Sequence, residues 1–95
     1  MSMVVIKGSE FSLSGGKYYS KGVPLEGDKA AVQLKTLAAG TITVERAVNG
    51  QDFTPVPDFS EPIDGVGEFN IINAMPGQFI RIVSTVEVEA ANILV

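Results

Sequence analysis

Carboxylates are the reactive side chains this chain carries in number. Eleven Asp and Glu stand against five Lys and two Arg, with no His and no Cys, for a net charge of −4. Without His the chain lacks the commonest general base and the commonest transition-metal ligand. Without Cys it has neither thiolate chemistry nor disulfides. Asp58, Glu61 and Asp64 cluster in a Pro-rich stretch, where loop carboxylates could gather around calcium. Their spacing matches no calcium loop, and Pro57 and Pro62 restrict their convergence, so a solvated loop is the simpler reading. A carboxylate pair could hydrolyse a glycosidic bond, but eleven acids single out no pair, and 95 residues leave little room for a substrate cleft. Gly8, Gly15-Gly16 and Gly65-Val66-Gly67 lack the spacing of a phosphate-binding loop and read as turn glycines. The inventory implies a chain that is not an enzyme and uses no metal or cofactor.

Binding without catalysis needs a surface. With no Trp, Tyr18, Tyr19, Phe53 and Phe59 are the aromatics that could stack on a sugar. In a strand Tyr18 and Tyr19 point to opposite faces, so one is expected in the core and one outside. Arg81 interrupts an apolar run and is expected to face solvent, to pair with Glu45 or Glu68 across strands, or to meet another subunit. The same choice holds for Arg46. The basic residues are scattered singly, so no stripe exists to neutralise a phosphate backbone, and nucleic acid is not an expected partner. No apolar run approaches the roughly 20 residues that span a bilayer. Met1–Lys7 lacks the basic and apolar regions of a signal peptide, which leads to an expectation of synthesis in a cytoplasm.

The elements that must position these groups are strands. Thr41–Val48 alternates, with Ile42, Val44, Arg46 and Val48 on one face. Asn49-Gly50 then suits a tight hairpin with positive φ at both central positions, returning along Phe53–Val56. Short strands are also expected at Met3–Lys7, Phe11–Leu13, Lys17–Ser20, Glu68–Ile72, Gln78–Thr85 and Val86–Val95, with Ser14-Gly15-Gly16 as a turn. Val23-Pro24-Leu25 is extended. Lys29–Leu37 fits a helical face or a strand, and the strand periodicity around it favours strand. Pro57–Gly67 reads as a loop, and Asn73–Gly77 as a turn with Pro second and Gly third. The whole predicts one all-β domain over residues 1–95. It is a single antiparallel β-sandwich, jelly-roll or Ig-like, of seven to nine short strands.

The stretch Val44-Glu45-Arg46-Ala47-Val48-Asn49-Gly50-Gln51-Asp52-Phe53-Thr54-Pro55-Val56, followed by Gly77-Gln78-Phe79-Ile80-Arg81-Ile82, resembles a couplet found in small β-sandwich accessory proteins of tailed bacteriophages. The resemblance implies a structural virion protein, made in the host cytoplasm. Its first expected role is an auxiliary or decoration protein that binds the major capsid protein and assembles in many copies or as a homo-oligomer. A tail, neck or fibre-base protein is the next reading. A carbohydrate-binding module for host attachment is another, since carbohydrate-binding sandwiches show related strand pairs. The chain ends are unusually apolar, and monomers usually leave termini polar and mobile. Met3, Val4, Ile6, Ile93, Leu94 and Val95 are therefore the candidate assembly residues, with Asp58, Phe59, Glu61 and Asp64 as candidate contacts on an exposed loop.

Overall fold

The structure, a computed structural model, describes residues 2–72 and 74–95. Among the described residues, nine strands form one antiparallel sheet that curls onto itself: β1 (Met3–Lys7), β2 (Ser12–Ser14), β3 (Lys17–Tyr19), β4 (Val23–Pro24), β5 (Ala30–Ala47), β6 (Thr54–Pro55), β7 (Glu61–Ile71), β8 (Phe79–Ser84) and β9 (Val88–Leu94). The expected all-β antiparallel sandwich is present. Its organising strand is β5, which joins the stretch read as ambiguous to the stretch read as strand. Apart from Lys29 and Val48, the stretches Lys29–Leu37 and Thr41–Val48 belong to one 18-residue element.

The first half of β5 lies between β9 and the C-terminal half of β7, with Val32 opposite both Ile93 and Phe69. Its second half lies between β8 and β6, with Glu45 opposite both Arg81 and Pro55. Between these halves the ladder slips at 35–39 and the strand turns from one layer of the sandwich into the other. Alternate residues on the two inner faces meet there: Ile6, Val32, Leu34, Ala91 and Ile93 from one layer, Val23, Ile42, Val44, Ile80 and Ile82 from the other.

The corner has a specific chemistry. Thr36 is buried, and its hydroxyl donates to the Ala38 carbonyl at 2.8 Å and accepts from the Gly65 amide at 3.3 Å. Gly65 has φ +86°. There β7 bends beside β5, which is why the stretch read as the loop Pro57–Gly67 is largely strand. Pro62 is tolerated because β7 is paired only with β5. On the other side, the Thr85 hydroxyl accepts from the Thr41 amide at 2.9 Å, and the Ser84 hydroxyl donates to the Val86 carbonyl at 2.6 Å. A methyl group at Gly40 would lie 2.7 Å from a Val86 methyl. Hydroxyls and a missing side chain thus replace ladder bonds where three strands turn together.

The turns also differ from expectation in one place. Gly15 and Gly16, at φ +58° and +80°, join Ser14 to its partner Lys17, so the two-residue turn with positive φ sits at the first hairpin. At Asn49-Gly50 only Gly50 has positive φ, and the last β5–β6 pair is Arg46 with Thr54. The loop between is wider because the Asn49 carboxamide oxygen accepts from the Gln51 and Asp52 amides, both at 2.9 Å, while its nitrogen donates to Asp52 at 2.7 Å. That side-chain turn competes with a backbone turn and wins. Val48 falls beyond the strand and is exposed, so the face Ile42–Val44 does not extend to it. In the Met75–Gln78 turn, Pro76 is second and Gly77 third, with the Gln78 amide donating to the Met75 carbonyl at 3.0 Å. Asn73, included in the expected turn, lies outside the described residues.

Two glycine substitutions, one at the corner and one in the connection before β5, isolate the cost of backbone conformation. Gly65→Ala puts a methyl group in open space, so it costs only the left-handed conformation, about 1–2 kcal/mol. Gly27→Ala, equally unobstructed and without positive φ, is expected to be neutral or slightly stabilising. Urea unfolding of both variants checks the contrast. Thr36→Val is expected to cost about 0.5–1.5 kcal/mol, because it removes the hydroxyl's bonds to the Ala38 carbonyl and the Gly65 amide.

Candidate functional site

The aromatic candidates do not form an open platform. Arg81 stands on the outer face of β8, opposite Glu45 on β5. Its Nε and Nη2 donate to Glu45 Oε1 at 2.7 and 2.6 Å. Its guanidinium carbon lies 4.8 Å from the centroid of Tyr19 and 4.4 Å from that of Phe53. The cation thus covers one face of each ring, where a sugar could otherwise stack. Of the partners weighed for Arg81, Glu45 is the one it takes. Tyr18 and Tyr19 point to opposite faces, but both are half-buried, so neither is the exposed ring expected of the pair. Phe59 is also half-buried, packed edge-on against Phe69 over the core at 6.3 Å. It is therefore not an exposed contact residue. Arg46 is half-buried and pairs with no carboxylate among the described residues.

The loop acids are not brought together. Asp58 is the third residue of a Val56–Phe59 turn, at φ +60° behind Pro57, with Phe59 donating to the Val56 carbonyl. Glu61 and Asp64 are exposed on β7, opposite Ile42 and Ala39. They are strand residues, not loop residues. Among the described residues no group of three His, Cys, Asp or Glu could hold a metal ion.

The assembly candidates divide by parity. Ile6 and Ile93 have no exposed surface; they are core, because β1 and β9 close one layer of the sandwich. Val4 and Val95 are half-buried against that core. Only Met3 and Leu94 are exposed, at 62% and 39%. Apolar ends are explained in large part by burial in the chain's own sheet.

Met3 and Leu94 belong to a surface that sequence reading missed. Outward residues of β1, β9, β5 and β7 lie in register across the sheet: Met3, Leu94, Ala31 and Asn70 in one row, and Val5, Asn92, Gln33 and Glu68 in the next. Met3, Ala31, Gln33, Glu68, Asn92 and Leu94 line a shallow depression of about 140 Å³. It adjoins a second depression of about 380 Å³ bounded by Ala31, Asn70, Ile72 and Leu94. The side chains of Gln33, Asn70, Asn92 and Glu68 form no hydrogen bond with any described residue. Donors and acceptors therefore face outward beside apolar groups. The signal lay in the polar half of each alternation, Gln33 within β5 and Asn92 within β9, but only strand order shows that they are neighbours.

No protein-family model matches the chain, and no curated protein does. Solved structures do align with it. The C-terminal CBM6 of LamC, a marine laminarinase from Zobellia galactanivorans, aligns over 99% of this chain and 100% of its own, with TM-score 0.57 and 7% identity. A structure described as "CBM4 structure and function" aligns over 96% of this chain and 81% of its own, with TM-score 0.40 and 11% identity. An exo-β-1,3-galactanase from Phanerochaete chrysosporium aligns over 97% of this chain and 26% of its own, with TM-score 0.45 and 17% identity. The match to the CBM6 supports the sandwich fold.

The Arg81 cluster has a stability role that can be measured. Arg81→Met is expected to cost about 1–2 kcal/mol, from the lost cation–π contacts and the stranded Glu45 carboxylate. Adding Glu45→Gln is expected to recover part of that loss, giving a non-additive cycle in thermal or urea unfolding.

Proposed function

We propose that this chain is a non-catalytic module that binds polysaccharide on the outer face of the β1-β9-β5-β7 layer. The observation that carries the reading is the depression where Gln33, Asn92 and Glu68 lie beside Met3, Leu94 and Ala31. Side-chain amides offer a donor and an acceptor together, which suits adjacent sugar hydroxyls, and apolar side chains can cover the C–H face of a ring. The shared fold with a CBM6 supports the same reading. The site differs from the aromatic one considered from sequence, because Arg81 already covers Tyr19 and Phe53.

Affinity electrophoresis against neutral polysaccharides, laminarin among them, tests the proposal. Retardation on at least one gel is expected. The double variant Gln33→Ala/Asn92→Ala is expected to weaken it at least tenfold, with the melting temperature unchanged because both side chains reach solvent. Absence of retardation across the panel, or full retention by the double variant, would sink the reading. Tyr19→Ala is expected to lower stability.

A second reading is the multi-copy accessory protein of a phage virion. Exposed apolar side chains on the terminal strands, Met3, Val5 and Leu94, favour it. Co-sedimentation with capsids is its measurement, and failure to co-sediment would remove it.

A further inference from the structure

Strand β1 ends the sheet and is paired on one side only, with β9. Which of its backbone groups are left open follows from parity. The Val95 amide donates to the Ser2 carbonyl at 2.9 Å. In an antiparallel ladder bonding alternates along the strand, so the groups of Val4 and Ile6 also point at β9. Those of Met3, Val5 and Lys7 point away from it. The Lys7 amide is already taken by the Glu10 carboxylate at 2.8 Å, in the short 3-10 turn that follows β1. What remains is a short edge in which Met3 and Val5 each offer one donor and one acceptor. Their side chains are 62% and 57% exposed, on the same face as Leu94. Edge strands are commonly blunted by Lys or Pro at such positions; here the open positions hold Met and Val.

We propose that a second copy of this chain pairs with β1, antiparallel about a two-fold axis at Val4. Met3 of each copy then exchanges hydrogen bonds with the partner's Val5. The occupant is a second copy because the edge is self-complementary in this register. Its two open residues match each other in reverse order, and no charged side chains of the described strand residues are set opposite one another. The neighbouring register, with Val5 opposite the partner's Val5, needs the Lys7 amide that Glu10 occupies. The same cap excludes a longer strand. Across the seam Met3 of each copy packs beside the partner's Val5. The paired sheets form one continuous face that carries two amide-lined depressions, and two weak sites held together gain avidity on a repeating ligand. The pairing itself is independent of the polysaccharide reading.

The contact is smaller than a standard interface, so the association is expected to be weak and reversible. Sedimentation equilibrium of the full chain from ~10 µM to ~1 mM is expected to show a mass rising from monomer toward dimer. Val5→Pro removes an outward amide without touching the β9 ladder and is expected to remain monomeric with an unchanged circular dichroism spectrum. Since the chain has no Cys, Val4→Cys introduces a lone thiol. Across the axis two such residues lie about 4.5 Å apart between Cα atoms, so a disulfide-linked dimer is expected on mild oxidation. Val5→Cys, opposite Met3, is expected not to cross-link. A monomer mass at the highest concentration, a dimer of the folded Val5→Pro variant, or cross-linking of Val5→Cys in preference to Val4→Cys would overturn the proposal. A monomer that is retarded on polysaccharide gels overturns this inference alone. A dimer that is not retarded overturns the binding reading alone.

Discussion

Where β5 turns the corner, the slip in its ladder leaves backbone groups that side chains must partner. An unpaired buried amide or carbonyl costs more than an ordinary hydrogen bond contributes. Thr36, Ser84 and Thr85 supply hydroxyls that accept or donate at that point, and Gly65 supplies a conformation other residues resist. Every other feature depends on this corner. If β5 ran straight, its inward residues Val32 and Leu34 could not face Ile42 and Val44, and there would be no sandwich. The bend also lets one strand be flanked by β9 and β7 in its first half and by β8 and β6 in its second.

The two outer faces of the sandwich have diverged in chemistry for reasons visible in their side chains. On the β8 side, Tyr19, Phe53, Arg81 and Glu45 satisfy one another and leave little for a ligand. On the β9 side, amides and a carboxylate point outward without internal partners, next to apolar groups. A face whose polar groups are already paired is structural; one whose polar groups await a partner is available for recognition. That difference, and not the number of aromatic residues, directs attention to Gln33 and Asn92.

Alternation made the strands legible. Ile42 and Val44 on β5, and Ile80 and Ile82 on β8, are inward as their spacing implied, and Pro24 marked a short paired segment. The corner was not legible, because Ala38, Ala39 and Gly40 fall between the two stretches read separately, Lys29–Leu37 and Thr41–Val48, when they are an irregularity within one strand. Asn49-Gly50 misled for a related reason: the Asn side chain can close a turn of its own, and nothing in the dipeptide says which turn prevails. Apolar termini pointed to assembly, yet Ile6 and Ile93 serve the chain's own core. The amide-lined face escaped sequence reading because its members come from strands that are distant in the chain and adjacent only in the sheet.

The pairing of β1 with β9 also orders events during synthesis. Among the described strands, the first to be made pairs with the last of the nine. Until β9 emerges, Val4 and Ile6 have no layer to enter, and the first half of β5 lacks its neighbour on that side. The β2–β3 hairpin closes locally at Gly15-Gly16, and the second half of β5 can pair as soon as β8 is made. One layer of the sandwich can therefore form while the chain is still being extended. The layer that carries the amide face waits for the closing strand, leaving an apolar edge open until β9 is made.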